Sequence, residues 1–196
     1  MDRSSLTELH YITSISNVPS VLQHGILSHR RASAVPHESV AMLEIQEMRG
    51  RRAVPGGRPL HDYVNLYLCA RNPMLFKLKE SHQCLCVLRI STDVLDLAAV
   101  VISDGNAASG YTAFWPSPAG LARLDHQLVF AEYWTDDDQQ AGWRKKRVKC
   151  AEVLVPDVIA PQWILGAYVS CTEAEQALCQ LQPGLDVIVD RHLFFV

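Results

Sequence analysis

LHDYVNLYLCARNPMLF, residues 60–76, is the stretch on which the reading of this chain turns. Its first half alternates aromatic and aliphatic residues, and this pattern predicts a strand over about 63–69. The strand then runs into Asn72-Pro73. The residue before a proline is pushed out of helical geometry, so the strand must stop there. Arg71 therefore stands at a strand tip, where a side chain reaches solvent or a ligand. The plainer alternative is a surface residue, with Met74, Leu75 and Phe76 packed under the sheet.

Outward from this seam, apolar runs predict further strands at 9–13 (LHYIT), 84–90 (CLCVLRI) and 99–104 (AVVISD). Others are predicted at 151–159 (AEVLVPDVI, stopped by Pro156), 164–170 (ILGAYVS) and 186–196 (DVIVDRHLFFV). A first helix is predicted after Ser16-Asn17, either of which can cap it, with Pro19 in its first turn and Gly25 at its end. A second is predicted from Pro36 to about Arg49, with Val40, Leu43 and Met48 near one face, and a third over 172–181 (TEAEQALCQL). Residues 110–125 read as a loop leading into a short helix, and 133–150 as a long polar stretch. Many short strands with helices mostly toward the front imply an α+β fold, in one domain over 1–196.

The 196 residues are 48% hydrophobic and 20% charged, with a net charge of -3, so a polyanion must be met by a local basic surface rather than by the whole molecule. No run of about 18 uncharged apolar residues occurs and the amino terminus has no signal-peptide core, so no membrane partner is expected and the expected location is cytoplasmic. Six scattered cysteines form no CxxC pair and read as free thiols. Eight histidines show no zinc-ligand spacing, so no metal is expected.

The block HDYVNLYLCARNPMLF, preceded by IQEMRGRR and VPGG and followed far downstream by KCAEVLVPDVI, resembles the DarT family of nucleic-acid-base ADP-ribosyltransferases, the toxins of bacterial toxin-antitoxin systems. The resemblance runs from HYIT near the start to the last strand. It implies the ADP-ribosyltransferase fold, two packed, split β-sheets with an NAD cleft between them and N-terminal helices. It also implies NAD as substrate, with ADP-ribose passed to a base in single-stranded DNA, and a partner antitoxin with ADP-ribosyl-hydrolase activity.

Glu152 is the first candidate. In AEVLVP the residues Ala151, Val153 and Val155 share one face, so the Glu152 carboxylate interrupts an apolar face at the start of a strand. Departure of nicotinamide leaves a ribosyl cation-like transition state, which a carboxylate stabilises over the ground state. Unit charges about 4 Å apart at an effective dielectric near 20 interact by about 4 kcal/mol. That is on the order of 10³ in rate. A sheet-edge pair with an arginine or lysine is the structural alternative.

The resemblance assigns an assisting arginine to Arg49, with Arg51 as the second choice in the run Arg49-Gly50-Arg51-Arg52. Guanidinium suits phosphate or base oxygens because it is always charged and presents a planar fork of donors. The first strand brings His10, Tyr11 and Thr13 toward NAD by the same resemblance. The family's order there is Tyr-His-Ile-Thr and this chain has His-Tyr-Ile-Thr, which exchanges the faces of the two rings. Asn17 matches a family asparagine for NAD or serves as a helix cap, and Tyr63 and Tyr67 are expected near the nicotinamide. Arg71, Asn72 and Met74 are expected to face the incoming base.

The stretch WTDDDQQAGWRKKRVK occupies the place of the acceptor-recognition loop of this fold. Trp143 with Arg144, Lys145, Lys146 and Arg147 combines stacking with phosphate attraction, as single-strand binders do. Lys149 adds a fifth cation, and Asp136, Asp137 and Asp138 are expected at the loop tip. Thymine-modifying members read Val-Pro-Phe-Tyr-Phe and Pro-Arg-Ser-Pro-Met where this chain has Val-Asn-Leu-Tyr-Leu and Ala-Arg-Asn-Pro-Met, a departure that leans toward guanine. The alternatives are an RNA 2'-phosphotransferase-like or protein-directed ADP-ribosyltransferase, or a non-catalytic nucleic-acid-binding domain with no use for Glu152.

Overall fold

The computed structural model describes residues 1–196. Its elements in chain order are β1 (Leu9–Ser14), α1 (Val18–His24), β2 (Ile26–Leu27), α2 (His29–Ala32), α3 (Leu43–Gly50), β3 (Tyr63–Tyr67), α4 (Pro73–Lys77), β4 (Leu85–Ile90) and β5 (Val101–Ser103). There follow β6 (Phe114–Pro116), α5 (His126–Val129), α6 (Gln139–Val148), β7 (Glu152–Pro156), β8 (Val158–Ile159), β9 (Ile164–Val169), α7 (Thr172–Leu181) and β10 (Val187–Val189). No helix is long and apolar enough to cross a membrane.

Eight strands pair in the order β10-β9-β4-β1-β3-β7-β5-β6, and β2 with β8 forms a separate two-stranded ribbon. The pairing strength along this order is uneven. β1 is zipped to β4 along its whole length, from Leu9 opposite Ile90 to Ser14 opposite Leu85. β3 is likewise zipped to β7, from Tyr63 opposite Pro156 to Tyr67 opposite Glu152. Between β1 and β3 the single registered pair is His10 opposite Tyr67. Two half-sheets are thus hinged at one point and splay apart, which is the split expected from the resemblance.

Strand alternation decides what each face buries. Leu66, Leu88, Ile90, Ile102, Val153 and Val155 enter the main core, against Val18 of α1 and Ala174 and Leu178 of α7. A second cluster holds Ile12, Tyr67, Leu75, Val87 and Phe194, and a third holds Val54, Leu60, Tyr63 and Leu154. Gly25 ends α1 with φ 83°, and a Cβ there would lie 2.4 Å from the Ile159 carbonyl, so glycine is required by both backbone and space.

Five sequence expectations change. The helix predicted from Pro36 begins only at Leu43, and Leu43 and Met48 are exposed while Arg49 is the buried residue. The Asn17 side chain takes the Glu38 backbone, accepting from its N–H at 2.8 Å and donating to its carbonyl at 2.8 Å, which holds that segment out of helical geometry. Asn17 therefore caps no helix with its side chain. The polar stretch 133–150 contains α6, because Asp138 Oδ1 accepts from the N–H groups of Gln140 and Ala141 at 2.7 and 2.9 Å. A strand, β6, forms where a loop is predicted, pairing with β5. The last strand stops at Val189, since the Leu193 N–H turns back to Asp190 Oδ1 at 2.9 Å and Phe194 dives into the second core.

Candidate active site

The splay between the half-sheets opens a cleft of about 980 Å³, at the upper end of ligand-pocket sizes. β1 contributes Tyr11 and Thr13, β3 contributes Tyr63, Asn65 and Tyr67, and β7 contributes Glu152. α3 closes one wall with Gln46 and Arg49, and α6 another with Trp143, Arg144, Lys146 and Arg147.

Glu152 is 1% exposed. It begins β7 between two strands, opposite Tyr67 on one side and Ser103 on the other. Arg49 Nη1 donates to its two oxygens at 3.2 and 2.9 Å, and the Ala107 N–H donates to Oε1 at 3.2 Å. Behind it the Glu152 N–H donates to Ser103 Oγ at 3.2 Å, which fixes the carboxylate's stem. Arg49 is 5% exposed, and its Nη2 is buried with no partner. An unpaired donor on a buried cation is costly, so this guanidinium edge is available to donate to an anion or oxygen beside the carboxylate.

Tyr67 and Tyr11 remain neutral phenols. Burial first, and then the Glu152 charge, holds Tyr67 well above the usual phenol range, and its hydroxyl donates to Met74 Sδ at 2.9 Å. Burial likewise pushes Tyr11 up to about 12. Tyr63 Oη accepts from the Arg58 N–H at 3.3 Å. His29 and His61 stack at the rim with ring centres 4.1 Å apart, and burial lowers the pKa of both. Two neighbouring imidazoles held neutral add hydrogen-bonding capacity without adding charge.

Of the residues singled out from sequence, the cleft gathers Glu152, Arg49, Tyr11, Thr13, Asn17, Tyr63, Tyr67, Met74, Trp143, Arg144, Lys146 and Arg147. Six others lie elsewhere. His10 points to the face of β1 opposite Tyr11 and sits 3.3 Å from Glu8, so of the two exchanged rings Tyr11 is the one that lines the cleft. Arg51 lies past the end of α3 and is exposed. Arg71 is spent on the carboxyl-terminal tail, donating to the carbonyls of His192 and Glu132 at 3.0 and 3.2 Å and covering the Phe195 ring. Asn72 is fully buried and caps α4, accepting from the N–H groups of Met74 and Leu75 at 2.9 and 3.1 Å. Lys145 is paired with Asp136 at 2.6 Å on the outer side of α6. Lys149 is buried away from the cleft, and Arg147, though it lines the cleft, is also braced by Asp104 at 2.7 Å.

The Ala107 N–H on Glu152 and the cleft residues Asn106, Ser109 and Gln140 have no counterpart among the sequence candidates, and Asn65 figures there only as a departure from the thymine pattern. For the loop after β5 the available signal was the small polar run Asn106-Ala107-Ala108-Ser109-Gly110 at a strand end. Asn65 carried a clearer one, an amide in the middle of an apolar strand.

A sheet split at one registered pair, with a buried arginine–glutamate pair at the bottom of the split, defines an ADP-ribosyltransferase-type fold. The solved structure of Thermosipho africanus DarTG in complex with ADP-ribose superposes with a TM-score of 0.84 at 30% identity, over 97% of this chain and 52% of that one. Thermus sp. 2.9 DarT in complex with ADP-ribosylated single-stranded DNA superposes with a TM-score of 0.83 at 25% identity, over 97% of both chains. In sequence, the DNA ADP-ribosyl transferase-DNA ADP-ribosyl glycohydrolase fusion protein of Thermosipho africanus is 32% identical over 96% of this chain, which spans 50% of that protein's length. The family model described as "ssDNA thymidine ADP-ribosyltransferase, DarT" matches residues 10–195. The chain belongs to the DarT family.

Proposed function

We propose that residues 1–196 act as a single ADP-ribosyltransferase domain that moves ADP-ribose from NAD to a base in single-stranded DNA. The observation that carries this reading is the buried Glu152 carboxylate, held by Arg49 and the Ala107 N–H at the floor of a cleft of about 980 Å³. NAD supplies the ribosyl centre and nicotinamide as the leaving group. Glu152 opposes the positive charge that develops when that bond breaks. Arg49 holds Glu152 in place through Nη1 and offers its free Nη2 to a phosphate or base oxygen. Tyr11, Thr13, Asn17, Tyr63 and Tyr67 form the wall for NAD. Trp143 stands exposed for base stacking, and Arg144 and Lys146 attract the DNA phosphates.

Guanine is the acceptor favoured by the departures from the thymine pattern, and Asn65 is the departure that lines the cleft. Its amide offers both a donor and an acceptor to a base edge. The departures at Ala70 and Asn72 lie outside the cleft and no longer support the choice. Thymine is the second reading, favoured by the matched family's description. We further propose that the chain is a toxin acting in the cytoplasm, restrained by an antitoxin that hydrolyses the ADP-ribosyl–base bond. Support comes from the Thermosipho relative, whose name joins a transferase and a glycohydrolase in one chain.

The test is incubation of the protein with NAD and single-stranded oligonucleotides that each lack one base type, followed by mass spectrometry. A gain of one ADP-ribose, absent with Glu152→Gln and absent only when guanine is missing, is the expected result. Dependence on thymine instead moves the acceptor to the second reading. No adduct on any oligonucleotide overturns the DNA reading.

A further inference from the structure

Lys149 heads the fully buried side chains by size and is 2% exposed, yet its ammonium faces no carboxylate. Its Nζ donates to the Val129 carbonyl at 3.1 Å and to Cys69 Sγ at 3.1 Å. A buried ammonium with only neutral partners is an expensive arrangement, and DNA cannot reach it. Cys69 is half-buried and so open to small oxidants, unlike the buried Cys86 and Cys150. Its other contact is a weak one to the Arg71 carbonyl at 3.7 Å. The two groups therefore meet at reacting distance, with a nitrogen and a sulfur facing each other and no competing acid between them.

We propose that Cys69 and Lys149 form a redox-sensitive covalent bridge in which one oxygen atom joins Lys149 Nζ to Cys69 Sγ. Molecular oxygen is the oxidant: the thiol, the ammonium and one O₂ give the S–O–N bridge, one water and one proton. Sulfur and nitrogen each give up two electrons, one oxygen atom enters the bridge and the other leaves as water. Thiols near a basic nitrogen are the ones that oxidise selectively. The bridge joins residues 80 apart in sequence. It fastens the end of β3, two residues beyond Tyr67, to the turn three residues before Glu152. Closing so long a loop restrains the unfolded chain, so the bridged form unfolds at a higher temperature.

The experiment uses the full chain, held either in air-saturated buffer or under nitrogen with dithiothreitol, and measures intact mass followed by peptide mapping. Expected in air is a gain of one oxygen less two hydrogens, carried by a cross-linked pair of peptides containing Cys69 and Lys149. Dithiothreitol removes it, and neither Cys69→Ser nor Lys149→Met acquires it. An unchanged mass, or oxygen added to the Cys69 peptide without a cross-link, overturns the proposal. The wild-type peptide map decides the matter even if Lys149→Met fails to fold, and it does not depend on transferase activity.

Discussion

Two buried carboxylates of this molecule each meet an arginine, and they are finished differently. Glu8, just before β1, has every oxygen engaged: Oε2 accepts from Arg89 Nε at 2.8 Å, and Oε1 accepts from the Tyr168 hydroxyl at 2.7 Å with His10 Nε2 at 3.3 Å. Arg89 is itself completed by Asp186 at 2.7 Å and lies over the Tyr168 ring. Glu152 has Arg49 and one backbone N–H, and Arg49 keeps a buried nitrogen without a partner. Each cluster keeps one buried nitrogen without a partner, His10 Nδ1 beside Glu8 and Arg49 Nη2 beside Glu152, but only Arg49 lines the cleft, where a ligand can complete it. Burial alone would raise the Glu8 pKa, but the hydrogen bonds from His10, Arg89 and Tyr168 outweigh it and bring it down to about 2.

The largest expected effect separates the two sites by activity. Glu152→Gln lowers the rate of ADP-ribose transfer by about 10³, as expected from losing an interaction of about 4 kcal/mol in the transition state, while far-ultraviolet circular dichroism stays that of the folded protein. Glu8→Gln leaves transfer within about twofold in the same assay, a change of only tenths of a kcal/mol. An equal loss in both variants would erase the distinction.

The next effect runs the other way. Glu8→Ala strands Arg89 and costs about 3 kcal/mol of stability in urea unfolding, at the lower end for breaking a buried pair. A third, smaller effect follows from the depressed Glu8 pKa. The unfolded state binds this proton more readily, so the contribution of Glu8 is complete above its ordinary value near 4.5 and is lost as pH falls toward about 2. In Glu8→Gln this part of the acid unfolding curve flattens, and an unchanged curve counts against these hydrogen bonds as the cause.

The smallest effects test the same rule on α6. Lys145 is already paired with Asp136, whereas Lys146 is exposed at the cleft. Lys146→Gln reduces the dependence of single-stranded DNA affinity on salt, with a slope change of about 0.7 for one phosphate contact. Lys145→Gln changes that slope little, because its charge is spent inside the protein. Titration of a fluorescent oligonucleotide at several salt concentrations separates them.

Much of this arrangement was legible in the chain. The alternation in Ala151 to Val155 set Glu152 against the apolar face, and the strand before the Asn72-Pro73 seam is present, though it closes at Tyr67, two residues short of the predicted end. Arg49 was preferred over Arg51 and is the one that turns inward. Arg71 and Asn72 turn away from the cleft because a strand-end polar residue has other destinations than a ligand: Arg71 meets the tail, whose position comes from residues 190–196 folding back, and Asn72 caps α4. The helix α6 carries an N-cap pattern in Asp138 before Gln139, Gln140 and Ala141, but the charges around it mask that signal in the sequence.

By itself, then, the sequence determined the strands, their inward faces and the presence of one carboxylate where an apolar residue belongs, since these follow from a two-residue period and from local turn chemistry. Only the tertiary structure decided that this carboxylate meets Arg49, 103 residues away, and that the two half-sheets part around them. It also decided which cations are spent on Asp136, Asp104 and Cys69. Partnership and burial depend on chain segments far apart in sequence, and no local pattern records which polar group the fold leaves without a partner.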